Sequence, residues 1–170
     1  HQWVVADIRW KACELYMFGP AQERHLDSRI GKWPTDPAMI EAKIAAALPM
    51  DAPFFEGLGA TSRGLPAMEY LLFEASVPVT LAAFITDTLA AARMAYLAGL
   101  GEDVHAKATA LQAIWSIPGE DYATTFAHST ATGIEDPMGL LVNAMIAVLE
   151  EVTKTKLGKP FGKFDLGVLQ

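Results

Sequence analysis

From Leu81 to Trp115, apolar residues recur every three or four positions. The length of this regular run constrains the fold of the chain more than any other feature. Such spacing is typical of a helix that buries one face. We expect one helix of about ten turns, straight or kinked at Gly99 and Gly101. No segment shows the two-residue alternation of a strand. The sequence therefore predicts an all-α protein.

Further helices are indicated by start and stop signals along the chain. A first helix is expected from Trp3 to Phe18, where Gly19 stops it, and a short apolar helix from Leu65 to Phe73. The stretch from Pro49 to Gly64 is rich in proline and glycine and is interpreted as a loop. The residues predicted to face the core from the first helix are Val4, Ile8, Ala12, Leu15 and Phe18.

Two Asp-Pro pairs predict the starts of two more helices. Asp36 precedes Pro37, and Asp136 precedes Pro137, so each pair combines an N-cap acid with a first-turn proline. The second of these helices is expected to close at Gly158. The predicted architecture is an up-and-down bundle of about six helices in a single domain, residues 1–170. The buried stripe of the helix after Asp36 is predicted to be Ile40, Ile44 and Leu48.

The charge of the chain limits its partners. Thirteen basic against twenty acidic residues give a formal net charge of -7, so no basic face is available for nucleic acid. The only candidate membrane span, Val77 to Leu100, is interrupted by Asp87 and Arg93, so no span is predicted. The sequence contains no recognisable signal peptide. Cys13 has no disulfide partner and is interpreted as a structural thiol in a helix.

The common catalytic motifs are absent from the sequence. No histidine has a second histidine four positions later, which excludes a zincin helix, and no G-x-S-x-G elbow occurs. Gly57-x-Gly59 lacks the third glycine of a dinucleotide loop and predicts a turn.

Glu69 is the best candidate for a ligand-binding residue. It lies among apolar neighbours, where an ionised carboxylate needs a partner, a metal ion or a raised pKa. A salt bridge to Arg63 or another base is the structural alternative, and periodicity alone favours it. Glu14 is a second candidate, with Arg9 and Lys11 close in sequence, and its alternative is a solvated helix face. In helical bundles, such inward-facing acids can hold metal ions.

These residues resemble a known protein family. The segment from Gly64 to Phe73, Gly-Leu-Pro-Ala-Met-Glu-Tyr-Leu-Leu-Phe, resembles the G-x-H-x-x-E motif of the imelysin family with its following aromatic and leucine residues. Supporting segments occur in the family order and span nearly the whole chain. They are Arg9-Trp10 through Glu14, Phe18-Gly19-Pro20, Arg29-Ile30, Trp33-Pro34, Tyr96, Trp115 and Lys156-Leu-Gly-Lys-Pro-Phe-Gly162.

The resemblance implies a bacterial periplasmic or outer-membrane-attached helical protein linked to the uptake or binding of iron or another divalent metal. It implies two related bundles, of which this chain corresponds to the first. A second bundle, a further copy of the chain or a small ligand are the expected partners. The candidate motif and ligand-binding positions are Gly64, Pro66, Glu69, Glu14 and Arg9, with Glu69 and Glu14 as metal ligands.

The motif histidine is Pro66 in this chain, and proline offers no ligand atom. The leading hypothesis is therefore a non-catalytic protein with no catalytic residue. A metallopeptidase of the imelysin type is the first alternative. A structural or interaction bundle, in which Gly64 and Pro66 only shape a helix start, is the second.

Overall fold

The computed structural model describes residues 2–46, 48–133, 136–158 and 161. These residues form ten α-helices and no strand, which confirms the all-α prediction and raises the helix number from about six. Two 3-10 segments, Glu14–Tyr16 and Ala60–Ser62, and a π-helical segment, Glu151–Gly158, complete the elements. The α-helices are α1 (Gln2–Cys13), α2 (Pro20–Glu23), α3 (Leu26–Ile30), α4 (Pro37–Ala45), α5 (Ala52–Glu56), α6 (Gly64–Phe73), α7 (Val77–Ile85), α8 (Ala90–Trp115), α9 (Tyr122–Ala127) and α10 (Pro137–Glu150).

The central element is α8, against which α2 to α7 and α9 all pack. Its buried residues join two hydrophobic clusters. One cluster gathers side chains of α4, α5, α6 and α8 around Tyr96, and the other gathers α1, α2, α3, α6 and α8 around Trp10. Helix α6 contributes Ala67 and Leu71 to the first and Leu65 to the second. The helix that carries the motif is therefore fixed between two cores.

The single helix predicted from Leu81 to Trp115 is wrong, because the chain breaks between α7 and α8. At the break, the Asp87 carboxylate accepts a hydrogen bond from the Leu89 N–H at 2.7 Å. The Thr86 hydroxyl donates to the Ala82 carbonyl oxygen at 3.2 Å. Such local side-chain bonds offer the backbone an alternative to helical pairing. Periodicity alone does not detect this break.

Helix α8 continues without interruption through Gly99 and Gly101. A Cβ atom at Gly99 would overlap the ring of Phe55. The glycine therefore admits an aromatic side chain of α5 to the face of α8.

The predicted caps are confirmed. Asp36 accepts a hydrogen bond from the Met39 N–H at 3.0 Å, and Asp136 accepts one from the Gly139 N–H at 2.8 Å. Ile40 and Ile44 are fully buried as predicted, but α4 ends at Ala45 and Leu48 is exposed.

The interpretation of residues 49–64 as a loop is wrong in part. Asp51 caps the short helix α5 by accepting from the Phe54 N–H at 3.0 Å. The proline at position 53 occupies the first turn of α5, where a missing N–H costs no hydrogen bond. Asp51-Ala-Pro53 is therefore a further start signal, of the kind that correctly predicted α4.

The prediction for the first helix is wrong in part, because α1 ends at Cys13 rather than at Phe18, and of the predicted inner face only Phe18 is fully buried. Val4 and Ile8 are exposed, whereas Trp10 is buried. The Trp3 indole N–H donates to the Leu65 carbonyl oxygen at 2.9 Å and ties α1 to the first turn of α6. Tryptophan buries more apolar area than valine or isoleucine, so the two tryptophans decide which face of α1 turns inward.

Helices α7 and α10 are strongly apolar and yet contain no buried residue. Val77 and Ile85 are among the exposed residues of α7, and Met138 and Leu149 are among those of α10. No single helix of the described residues is long and apolar enough to cross a membrane. Only Ala60–Phe73 and Val77–Ile85 taken together, with a bend of 107° between them, reach that length and composition.

Replacing Tyr96 with phenylalanine should lower the free energy of unfolding by about 1–2 kcal/mol. The Tyr96 hydroxyl is fully buried and donates to the Ser62 carbonyl oxygen at 2.6 Å, just before α6. Burial raises the pKa of Tyr96 to about 12. Because the unfolded phenol ionises near pH 10, stability should fall between about pH 10 and 12, and less so in the variant. Urea melts at several pH values measure both effects, and an equal alkaline loss in the variant would contradict the assignment.

Candidate ligand-binding cleft

The first residue of α6, Gly64, has a φ of +76°, a conformation that favours glycine. A Cβ atom at this position would collide with the carbonyl oxygen of Ile30, at the end of α3. Gly64 thus allows the motif helix to begin directly against the backbone of α3.

Arg63 precedes α6 and forms a buried ion pair with Asp103 of α8. Arg63 Nη2 lies 2.6 and 2.8 Å from the two carboxylate oxygens, and Nε lies 3.2 Å from Oδ2. Both side chains are less than a tenth exposed. Lys107 lies 3.8 Å from Asp103 and 2.6 Å from Glu56, which also pairs with Arg29. The predicted alternative for Glu69 was a salt bridge to Arg63 or another base, and its Arg63 form is wrong because Arg63 pairs with Asp103.

Two motif positions, Pro66 and Glu69, line a common cleft of about 300 Å³ beside α6. The opposite wall comes from the segment between α3 and α4 and from the first residue of α4. The cleft is lined by Trp33, Pro34, Thr35, Pro37, Pro66, Glu69, Tyr70, Phe73 and Glu74.

Glu69 lines this cleft and is exposed to solvent. Partial loss of hydration, followed by the nearby carboxylate of Asp7, raises the pKa of Glu69. Lys11 opposes this effect, and Glu74 adds to it. No hydrogen bond or ion pair joins Glu69 to any residue in the described part of the chain. Its charge is thus uncompensated by direct contact.

Glu14 lies in a different cleft, also of about 300 Å³, between the end of α1 and α10. Its carboxylate accepts a hydrogen bond from Lys11 Nζ at 2.8 Å. Trp33 lines both clefts, but Glu14 lines only the first of them and Glu69 only the second. The structure therefore does not bring the two predicted metal ligands into one cavity.

The third charged candidate, Arg9, lines a separate apolar groove between α1 and α8. Across residues 2–46, 48–133, 136–158 and 161, no three His, Cys, Asp or Glu side chains form a group able to hold a metal ion. Pro66 and Glu69, Glu14, and Arg9 thus lie in three different cavities, and the buried Gly64 lines none of them.

Sequence reasoning missed an acidic and aromatic cluster next to the cleft. Glu41 of α4 pairs with Arg93 of α8 at 2.6 and 2.8 Å and accepts a hydrogen bond from the Tyr70 hydroxyl at 3.0 Å. The Arg93 hydrogen bond lowers the pKa of Glu41, while burial and Glu41 raise the pKa of Tyr70. The only feature of the sequence that pointed to this cluster is that Tyr70 directly follows Glu69. The Glu41–Arg93 ion pair joins α4 to α8, and the Tyr70 hydrogen bond joins Glu41 to α6 beside the cleft.

Together these features define an all-helical protein whose motif helix, anchored at its start by a glycine and a buried ion pair, presents a carboxylate to a small cleft. A family model described as imelysin matches residues 1–167. The chain belongs to the imelysin family.

One curated relative is iron-regulated protein A of Synechococcus elongatus, 29% identical over 170 residues. The match covers 93% of this chain and 41% of that protein, so the chain spans about two fifths of the length of this relative. No solved structure matches the chain.

Proposed function

We propose that this chain is part of an iron-linked imelysin-family protein of the bacterial periplasm or outer membrane, and that it does not act as a peptidase. In this proposal, the cleft beside α6 offers the Glu69 carboxylate to a ferrous or other divalent ion, which is cargo rather than a resident cofactor. The name of the relative, iron-regulated protein A, supports the link to iron. Family membership supports the bacterial envelope as the location.

The observation that carries the proposal is the state of Glu69. It lies at the motif position, has no partner in the described ranges, and has carboxylates of Asp7 and Glu74 close enough to raise its pKa. A cation next to Glu69 would relieve this repulsion and favour the ionised form.

The described residues alone do not fit a closed metal centre. Pro66 has no ligand atom, and the neighbouring acids do not converge on one point. The chain therefore supplies one carboxylate to the ion, and water or residues outside the described ranges supply the others.

The same departures argue against catalysis by this part of the protein. A metallopeptidase needs a metal ion with an open position and a group that accepts a proton from the bound water. The motif has a histidine and a glutamate, and because Pro66 stands at the histidine position, the cleft offers only the Glu69 carboxylate of the two. Incubation with unfolded protein and zinc should release no peptides.

A structural role for the motif is the second candidate. Gly64 is required by its backbone conformation and its contact with Ile30, and neither feature involves a ligand. Under this hypothesis the motif helix only holds the two cores together, and Glu69 has no function.

Replacing Glu69 with glutamine should weaken binding of Fe²⁺ or Mn²⁺ severalfold without lowering the stability of the metal-free protein at neutral pH. The raised pKa of Glu69 means that the folded state binds its proton more tightly, so stability falls as pH rises above the ordinary value of 4.5. Glutamine removes this loss. Anaerobic calorimetry and thermal melts at pH 4 and 7 measure the two quantities.

The matched control is Glu74→Gln, which removes one charge from the same cleft. Equal loss of metal affinity in Glu69→Gln and Glu74→Gln would show only that the negative charge of the cleft attracts the cation, without a specific ligand. The variant Pro66→His adds an imidazole three positions before Glu69 on the same helical face, and it should raise metal affinity relative to Pro66→Ala. Unchanged affinity in Glu69→Gln, with no gain in Pro66→His, would leave the structural role as the better account.

A further inference from the structure

An open apolar groove of about 580 Å³ lies between α1 and α8, and the proposed function does not use it. One wall holds Trp10 and Cys13 of α1, and the other holds Val104, Leu111 and Trp115 of α8. The Trp115 ring also packs against the rings of Tyr122 and Phe126 of α9. Its volume is in the range of sites for small molecules. The groove shares no lining residue with the cleft that holds Glu69.

Among the described residues, Arg9 is the one charged side chain that lines this groove. It forms no ion pair with any residue in the described ranges, unlike Arg24, Arg29, Arg63 and Arg93. A long apolar surface next to one uncompensated cation is complementary to a molecule with a hydrocarbon chain and a single negative charge.

From this complementarity, we propose that the groove between α1 and α8 binds a single-chain carboxylic acid, with the hydrocarbon chain along the groove and the carboxylate at Arg9. The apolar walls exclude water from the chain and supply most of the affinity. The guanidinium selects the acid over an uncharged chain of the same length.

A free amphiphile fits this site better than a lipid bilayer. Binding to an anionic membrane surface generally uses a cluster of basic residues, whereas the groove offers Arg9 alone on a chain with a net charge of -7. Repulsion between that net charge and anionic headgroups opposes docking to the bilayer.

The single cysteine of the sequence provides a direct test, because Cys13 lines the groove and is half-buried. The measurement is the rate at which iodoacetamide alkylates Cys13, with dodecanoate below its micelle concentration, with dodecanol, or with phosphatidylglycerol vesicles. Dodecanoate should slow alkylation, dodecanol should do so at about fivefold higher concentration, and vesicles should have no effect.

Two variants localise the effect. Ala108 is exposed and lines the groove, so Ala108→Trp should fill it and abolish protection by dodecanoate. Ala6→Trp repeats this test from α1 if the first variant does not fold, as judged by circular dichroism. Arg9→Gln should weaken dodecanoate about fivefold and leave dodecanol unchanged, whereas Arg24→Gln, outside the groove, should change neither.

Several outcomes would overturn the proposal. These are no protection by dodecanoate, equal protection in the filled variants, equal potency of dodecanol and dodecanoate, and protection by vesicles. Protection that rises with protein concentration without any ligand would instead assign the groove to a second copy of the chain. None of these outcomes involves metal, so they are independent of the test of Glu69.

Discussion

Replacing Gly64 with alanine should lower the free energy of unfolding by about 2–5 kcal/mol. The residue has a φ of +76°, which costs an L-residue energy, and the added Cβ would also collide with the carbonyl oxygen of Ile30. Because that oxygen belongs to the backbone, α3 and α6 would have to separate, and both hydrophobic cores meet at α6. Denaturant melts followed by circular dichroism measure the loss.

Gly133 separates the two causes. It has almost the same backbone conformation, with a φ of +77°, but a Cβ atom there would have no neighbour within 4 Å. Gly133→Ala should therefore cost only the conformational part, about 1–2 kcal/mol. Equal losses in the two variants would show that the contact with Ile30 contributes nothing.

Replacing Asp103 with asparagine should lower the free energy of unfolding by about 3–5 kcal/mol. The change leaves the charge of Arg63 buried without its counter-charge, at the start of the motif helix. Lys107 would lose part of its local compensation as well. The expected result is a lower urea midpoint with an unchanged dependence on denaturant.

The control for this variant is an exposed ion pair. Glu150 pairs with Lys154 at 3.1 Å, and both side chains are more than half exposed. Glu150→Gln should change stability by less than about 1 kcal/mol, since solvent screens the pair. A loss in Asp103→Asn no larger than this would mean that the Arg63 pair does not anchor α6.

The sequence correctly predicts those features of the fold that depend on residues a few positions apart. The Asp36 and Asp136 caps depend on a side chain and an N–H three positions later, and both are found. The inner face of α1 was mispredicted because Val4 and Ile8 compete with two tryptophans for burial, and periodicity does not rank the competitors. The break at Asp87 was missed because a single side-chain bond overrides an apolar pattern that continues on both sides.

The candidate site shows the same division. Glu69 could be singled out from its apolar neighbours, and its raised pKa follows from that environment. Its expected partner, Arg63, pairs instead with Asp103, forty positions away, and no local pattern indicates a contact of this range. Trp33, which lines the clefts of both Glu14 and Glu69, lies in a loop whose position depends on α3, α4 and α6 together.

Helix α10 contains no buried residue, and apart from the π-helical segment that follows it, it packs mainly against the segment Glu14–Tyr16. This arrangement affects how the chain opens. Opening α10 exposes little additional apolar surface, so it can unfold without disrupting the clusters around Trp10 and Tyr96. Its amide hydrogens should exchange with solvent through local fluctuations, whereas those of α8 should exchange only when the whole domain unfolds. The amides of α10 and of α8 would thus show two separate levels of protection against hydrogen exchange. Any partner that covers α10 would raise the protection of the α10 amides.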